Sequence, residues 1–262
     1  MIKTKTAEEI EILRENAILV SKTLAVVGRH CLPGVTTKEL DSIAEEFIRD
    51  HGAIPGFLGY GGFPYTLCIS VNDTIVHGFP SEYVMKEGDI VSVDCGTVYE
   101  GFYGDSAYTF PVGEINSTDK RLLATTKKSL EFGIAAALPG GRVGDIGNAV
   151  QTYCENAGFS VVREMVGHGL GRDMHESPEV PNYGRKGTGV KLMPGMVICI
   201  EPMVNEGKRD VYLDDNGWSV KTEDGSNAAH YEKTIAISAK GEPDVLTTYK
   251  YIEEPDKYKA ED

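Results

Sequence analysis

With 26 basic against 40 acidic residues, the 262-residue chain carries a formal net charge of −14, which argues against a protein whose main work is gripping phosphate backbones. At 41% hydrophobic and 25% charged it has the composition of a folded globular protein, and no apolar run approaches the roughly 20 residues needed to cross a bilayer. The N-terminus is charged from Lys3 and lacks a signal-peptide core, and the five cysteines are scattered without a C-x-x-C pair; a disulfide framework and a thiolate zinc site are set aside, and a cytoplasmic protein is expected.

Taken in order, Thr6 with Glu9 forms a capping-box pattern ahead of Ile10, Leu13, Ala17, Val20 and Leu24, so a first helix is expected to end near Gly28. Thr36 with Glu39 caps a second helix that stops near Gly52. A loop rich in glycine and aromatics covers 55–64, and strands are expected at 66–71, 74–77, 89–95 and 103–111. Helices then fit 117–138 and 143–157, followed by strands at 159–166, 196–203, 210–213, 217–223 and 229–238. No linker divides the chain. One catalytic domain over 1–262 is expected, with a frayed tail at 249–262.

The chain also repeats itself. Leu32-Pro33-Gly34 returns as Leu138-Pro139-Gly140, an offset of 106, and Gly52 matches Gly158 at the same offset. Asp94 closes the apolar run 90–93 as Glu201 closes 197–200, an offset of 107, and Asp105 has a counterpart in Glu232. The expected fold is therefore α+β, two pseudo-two-fold-related halves (about 6–113 and 117–242), each of helices packed on a curved antiparallel sheet.

Such packing would bring Asp94, Asp105, Glu201 and Glu232 together. Taken singly, each acid reads as a solvated strand end. Asp94 and Glu201, however, follow runs that should be buried, and clustered buried carboxylates must take protons or find cations. His168, in the stretch VGHGLGRDMHE at 166–176, adds a nitrogen donor where glycines alternate and give up side-chain packing. Four oxygen donors with one imidazole suit Mn, Fe(II), Co or Zn, and their charge would balance two divalent ions.

These residues, with VDCGTVYEGFYGDSAYTF, GHGLGRDMHESPEVPNYG, MVICIEPM and HYEKTIAI in order from about Thr6 to Lys240, resemble the methionine aminopeptidases of the pita-bread metallopeptidase group. The 33 positions from His168 to Glu201 are too few for the helical insertion of type II enzymes, so the resemblance is to type I. It implies two divalent ions. Asp94 would bind one through both oxygens, Asp105 and Glu232 would bridge, and His168 and Glu201 would complete the other. It also implies attack by a hydroxide held between the ions on the carbonyl of an initiator methionine, with a small second residue preferred. Glu201 would shuttle the proton, His175 would hydrogen-bond the substrate carbonyl, and His77 would contact the backbone nitrogen.

The resemblance further implies a methionine pocket lined by Tyr60, Phe63, Cys68, His77, Met174 and Trp218. Met174 stands where the family commonly has Phe, and Phe57 where it often has Cys. The implied partners are peptide and nascent-polypeptide N-termini, with transient ribosome contact and no nucleic acid or membrane; a monomer is expected. His175 lies seven residues beyond His168, so an unbroken strand would point the two apart, and a bend at 171–173 must return it. The rivals are a non-catalytic peptide- or ribosome-binding protein on this fold, against which all five ligands argue, and an Xaa-Pro metallopeptidase, which chain length disfavours. The G-x-S-x-G elbow and the Walker A pattern are missing from the sequence.

Overall fold

A computed structural model of the chain describes residues 2–260. Both expected capping boxes are present, Thr6–Glu9 on α1 (Ala7–Gly28) and Thr36–Glu39 on α2 (Thr37–Asp50). Leu13, Ala17, Val20 and Leu24 make one buried stripe along α1. Asn16 shares that stripe. It is fully buried and donates to the carbonyls of Thr97 and Phe102, which ties α1 to the hairpin carrying two of the predicted acids.

That hairpin follows three short strands, β1 (Ile54–Pro55), β2 (Leu67–Val71) and β3 (Thr74–Val76), and consists of β4 (Ile90–Tyr99) and β5 (Phe102–Pro111). In its register Asp94 faces Ala107 and Gly96 faces Asp105. Side chains alternate along each strand, so Asp94 and Asp105 share one face.

The second half begins with α3 (Ser117–Ala136) and α4 (Val143–Asn156). Five strands follow: β6 (Ser160–Val161), β7 (Gly167–Gly169), β8 (Glu176–Val180), β9 (Val197–Ile200) and β10 (Met203–Asn205). The chain closes with β11 (Val211–Leu213), β12 (Val220–Thr222), β13 (Ala228–His230), β14 (Lys233–Ala236), β15 (Asp244–Val245) and α5 (Lys250–Glu253). All pairing is antiparallel, with sheet orders β1-β4-β2 (β5 on β4), β13-β10-β6, β11-β12-β3 and β15-β14-β9-β7-β8.

The repeat is visible in the backbone. Gly34 N donates to Met85 O at 2.9 Å and Gly140 N to Leu192 O at 2.8 Å. The returning bonds, Met85 N to Val35 O and Leu192 N to Gly141 O, match in the same way. Gly34 and Gly140 have φ of 94° and 86°, a conformation glycine adopts without strain. One apolar cluster runs through both halves, from Leu24, Leu40 and Ile90 to Leu130, Ile146 and Ile198.

The two halves meet along β5 and the β13–β14 segment, where side chains stitch the backbones. Ser106 Oγ donates to Glu232 O, Thr234 Oγ1 to Asp105 O and Thr109 Oγ1 to His230 O, each at 2.7 Å. Glu232 N crosses to Ala107 O at 3.0 Å.

Some expected elements are broken here for identifiable reasons. The strand expected at 196–203 is interrupted at Glu201-Pro202, where proline has no N–H to continue the ladder. The strand expected at 229–238 parts at Tyr231-Glu232, because Glu232 N is used across the seam. Of 159–166 only Ser160–Val161 is strand, and Arg163-Glu164-Met165 bend away before β7.

The tail also differs from the frayed end expected. Tyr249 is buried, and its hydroxyl accepts from Glu232 N at 3.1 Å and lies 2.8 Å from Ala107 O, so the start of this segment is anchored on the seam, while 253–257 are exposed; Glu261 and Asp262 lie outside the described residues. Among the described residues no helix is long and apolar enough to cross a membrane. All five cysteines are free and buried.

Candidate metal centre

The seam floors a cavity of about 320 Å³, and both halves contribute to it. Asp94 comes from β4, Asp105 from β5, His168 from β7, Glu201 from the break after β9, and Glu232 from the break before β14. The structure therefore brings together all five residues expected from sequence. The glycines flanking His168 allow this mainly by close backbone approach: a Cβ on Gly167 would collide with the Cys199 carbonyl, and one on Gly169 with the Ser177 carbonyl.

Several polar atoms of this floor lack partners. Asp94 Oδ1, Asp105 Oδ1 and Glu232 Oε1 are buried without a hydrogen bond. His168 Nδ1 donates to Gly169 O at 3.0 Å, which leaves its Nε2 with a lone pair. That lone pair lies 3.5 Å from Glu201 Oε1 and 3.7 Å from Asp105 Oδ2. Acceptors aimed at acceptors without a proton between them are repulsive unless a cation is shared. The ligating atoms of Asp105, His168 and Glu232 fall within 4.8 Å of one another, and so do those of Glu201, His230 and Glu232. Oxygen donors with imidazole nitrogen suit a divalent ion, so the residues present fit a metal site.

The electrostatics agree. Burial lifts the Asp94 carboxyl to about 6, and burial together with the charges of Glu232 and Asp94 raises that of Asp105 well above its ordinary range. Glu201 and Glu232 are raised for the same two reasons, burial and then a neighbouring carboxylate. Burial pushes His168 down to about 4, so its ring is neutral and able to ligate. No Lys or Arg lines the cavity among the described residues.

A pH dependence follows. A carboxyl with a raised folded pKa favours the folded chain at low pH, and that contribution disappears as pH climbs through the folded value, about 6 for Asp94. Above about pH 6.5 the imidazoles are neutral folded and unfolded and add no slope. The Asp94 contribution is lost by about pH 6, so above about pH 6.5 the slope comes from Asp105, Glu201 and Glu232, which are raised well above their ordinary range. As they deprotonate, metal-free protein is expected to keep losing thermal stability, and the gain in Tm on adding Mn or Co should widen with pH. Equal gains at pH 6 and pH 8.5, measured by calorimetry, would contradict the carboxylate cluster as the binding site.

The remaining predicted residues divide. The bend at 171–175 is present, and it returns His175 to His168, with ring centroids 4.5 Å apart. Gly171 in that bend packs against Glu176, which accepts from Arg172 N and Asp173 N and pairs with Lys5 Nζ at 2.6 Å, the two side chains being little exposed. Burial lowers the His175 ring pKa, and Tyr60 Oη lies 2.9 Å from its Nδ1. With the phenol as donor, Nε2 carries the ring proton.

His77 lines the cavity at φ 57°, and burial drops its pKa to about 4. Tyr60, Phe63, Cys68 and Trp218 line the same space, with Phe63 and Trp218 edge to face at 5.2 Å. Met174 does not line it. It is fully buried in a side cluster with Leu13, Phe102 and Leu170, and its methyl meets the ring of Phe57 over Gly96. Phe57, which packs with it over Gly96, takes the lining position.

Sequence reasoning missed His230. It is buried at the end of β13, lines the cavity, and has an unpartnered Nε2. Its one signal was position, two residues before Glu232.

The sequence pattern of metallopeptidase family M24 matches residues 11–239. Methionine aminopeptidase 1 of Bacillus subtilis is 51% identical over 247 residues, covering 94% of this chain and 99% of that protein. The crystal structure of methionine aminopeptidase from Rickettsia prowazekii superposes with a TM-score of 0.93 at 40% identity, covering 95% of this chain and 100% of that one. That from Thermotoga maritima gives the same TM-score and coverage at 44% identity.

Proposed function

The chain belongs to metallopeptidase family M24, and from that premise we propose that it is a metal-dependent aminopeptidase that removes the N-terminal methionine from peptides and nascent proteins with a small second residue. The observation that carries this reading is one small cavity whose floor is four carboxylates and an imidazole and whose wall is aromatic. Asp94, Asp105, His168, Glu201 and Glu232 would hold two divalent ions drawn from Co, Mn, Fe(II) and Zn, four positive charges against four negative. Bound there, the ions supply Lewis acidity to the substrate carbonyl and lower the pKa of water.

The chain's own residues do the rest. A carboxylate-rich floor suits a free α-amino group, which favours an exopeptidase. Phe63, Trp218, Cys68 and Met203 offer a thioether aromatic edges and sulfur, each contact worth about 0.3–1.5 kcal/mol. Glu201 carries the proton of the attacking water to the leaving amide nitrogen. His175, its Nδ1 held by Tyr60, donates from Nε2 to the carbonyl oxygen as negative charge builds. His77 is placed to hold the backbone nitrogen beside it. Peptide N-termini are the implied partners.

Purified protein stripped with a chelator and reloaded with Co or Mn is expected to cleave Met-Ala-Ser and not Leu-Ala-Ser, read by release of free amino acid. No cleavage with any divalent metal would remove the enzyme reading. Faster turnover of Met-Pro than of Met-Ala peptides would favour an Xaa-Pro peptidase instead.

A further inference from the structure

We propose that His230 is a positioning residue for Glu201: its Nε2–H holds one carboxylate oxygen, so that the other stays turned to His168 and the ion site. The proposal rests on the reading above that the cluster binds divalent ions, and goes beyond it in giving a role to a residue outside the five ligands.

The backbone of His230 is fixed on both sides by one side chain. Its N–H donates to Thr109 Oγ1 at 3.0 Å and its carbonyl accepts from the same hydroxyl at 2.7 Å, so β13 presents the ring from a set point on β5. The residue is 1% exposed, and Nε2 is buried without a hydrogen bond. An unbonded buried donor is costly, and the structure offers it one oxygen, Glu201 Oε2 at 3.4 Å. A small side-chain movement closes that gap to an ordinary N–H···O bond.

Two imidazoles thus bracket Glu201 in opposite chemical roles. Oε1 lies 3.5 Å from His168 Nε2, which has no proton to give because Nδ1 donates to Gly169. Oε1 and His168 also lie on the side of Asp105, 3.7 Å from His168 Nε2, and this corner is where an ion would find its donors. Oε2 points the other way, to His230. A lone pair on His230 Nε2 would set two acceptors against each other, so the tautomer with the proton on Nε2 is the one that relieves the contact. Glu201 follows Ile200 where β9 ends, and the next residue is Pro202, so the ladder gives the carboxylate no neighbour to restrain it. Ligating carboxylates need such an outer partner, and losing one typically costs about 10- to 100-fold in metal affinity.

The competing arrangement is direct ligation, since Glu201, His230 and Glu232 can offer atoms within 4.8 Å of one another. Two variants separate the readings. His230→Gln keeps an amide N–H close to the position of Nε2, and His230→Leu removes the donor. The chelator-stripped full chain is titrated with Co(II), following both the dissociation constant and the visible d–d bands. His230→Leu should bind Co(II) about 10- to 100-fold more weakly, and His230→Gln should recover to within about threefold with wild-type bands. Wild-type affinity in His230→Leu would overturn the proposal. A His230→Gln variant as weak as His230→Leu, with altered bands, would overturn it in favour of direct ligation. If His230→Leu does not fold by circular dichroism, His230→Asn, whose amide is too short to reach Glu201, takes its place with the same expected loss. Failure of the wild-type chain to bind Co(II) would remove the metal-site reading itself.

Discussion

Replacing Asp105 with Asn is expected to lower turnover of Met-Ala-Ser by at least about 10³-fold, the equivalent of about 4 kcal/mol of transition-state stabilisation at 1.36 kcal/mol per decade. Asp105 sits in the middle of β5, its Oδ1 is buried without a partner, and its Oδ2 faces the His168 lone pair. An amide keeps the shape of the side chain and removes the charge that would bind a cation. The same change should act in the opposite direction on the metal-free protein. Three neighbouring carboxylates raise the Asp105 pKa after burial does, so Asp105→Asn relieves repulsion and should raise Tm in the presence of chelator. His168→Ala should share the loss of turnover. Rates near wild type in either variant, at saturating Mn or Co, would show that the ligand assignment is wrong.

The second large effect is expected outside the acid cluster, at the bend that carries His175. Glu176→Ala should destabilise the chain by about 3–5 kcal/mol, because it leaves the Lys5 ammonium, with its little-exposed side chain, without a carboxylate and with only the Lys3 carbonyl at 3.3 Å. The side chains of the pair are 5% and 3% exposed, and the ion pair is 2.6 Å long. For a chain of this size that loss corresponds to roughly 6–20 °C in Tm. Turnover should fall as well. Glu176 Oε1 accepts from Arg172 N at 3.1 Å and Asp173 N at 3.4 Å, and those bonds hold the bend that turns His175 into the cavity. The double variant Lys5→Met, Glu176→Gln removes both charges and keeps an acceptor for the two amides, so most of the stability should return. If the double variant is as unstable as Glu176→Ala, the unpaired cation is not the cause.

The helices and the acid framework were legible because each signal is local or repeats. Capping boxes lie within four residues, and the offset of 107 linked Glu201 to Asp94 across half the chain. The five expected ligands do converge. What could not be read depends on the seam. Ala228-Ala229-His230 has no pattern that marks a site, and His230 acquires its role only when β13 packs on β5. Met174 was placed in the pocket by resemblance, but it packs into the side cluster with Leu13 and Phe102, and Phe57 is the residue that lines the cavity. Tyr249 lies in a polar tail and becomes structural because its hydroxyl meets the backbone of Glu232 and Ala107 at the seam. Strand breaks at Glu201 and Glu232 were hidden for a related reason: apolar alternation continues through both, and the backbone amide is redirected only in three dimensions.

The seam has a consequence for stoichiometry. Asp94 and Asp105 come from one half, and Glu201 and Glu232 from the other, so neither half alone holds more than two of the four acids. A single-copy ancestor of this repeat could have assembled the framework only at the two-fold axis of a homodimer. The junction of β5 with β13 and β14 thus has the anatomy of a two-fold subunit interface held within one chain, two acids on either side of it. Within one chain the two sides need not be identical, and His168, with no acidic counterpart in the first half, is the kind of asymmetry a strict homodimer cannot carry on one side alone.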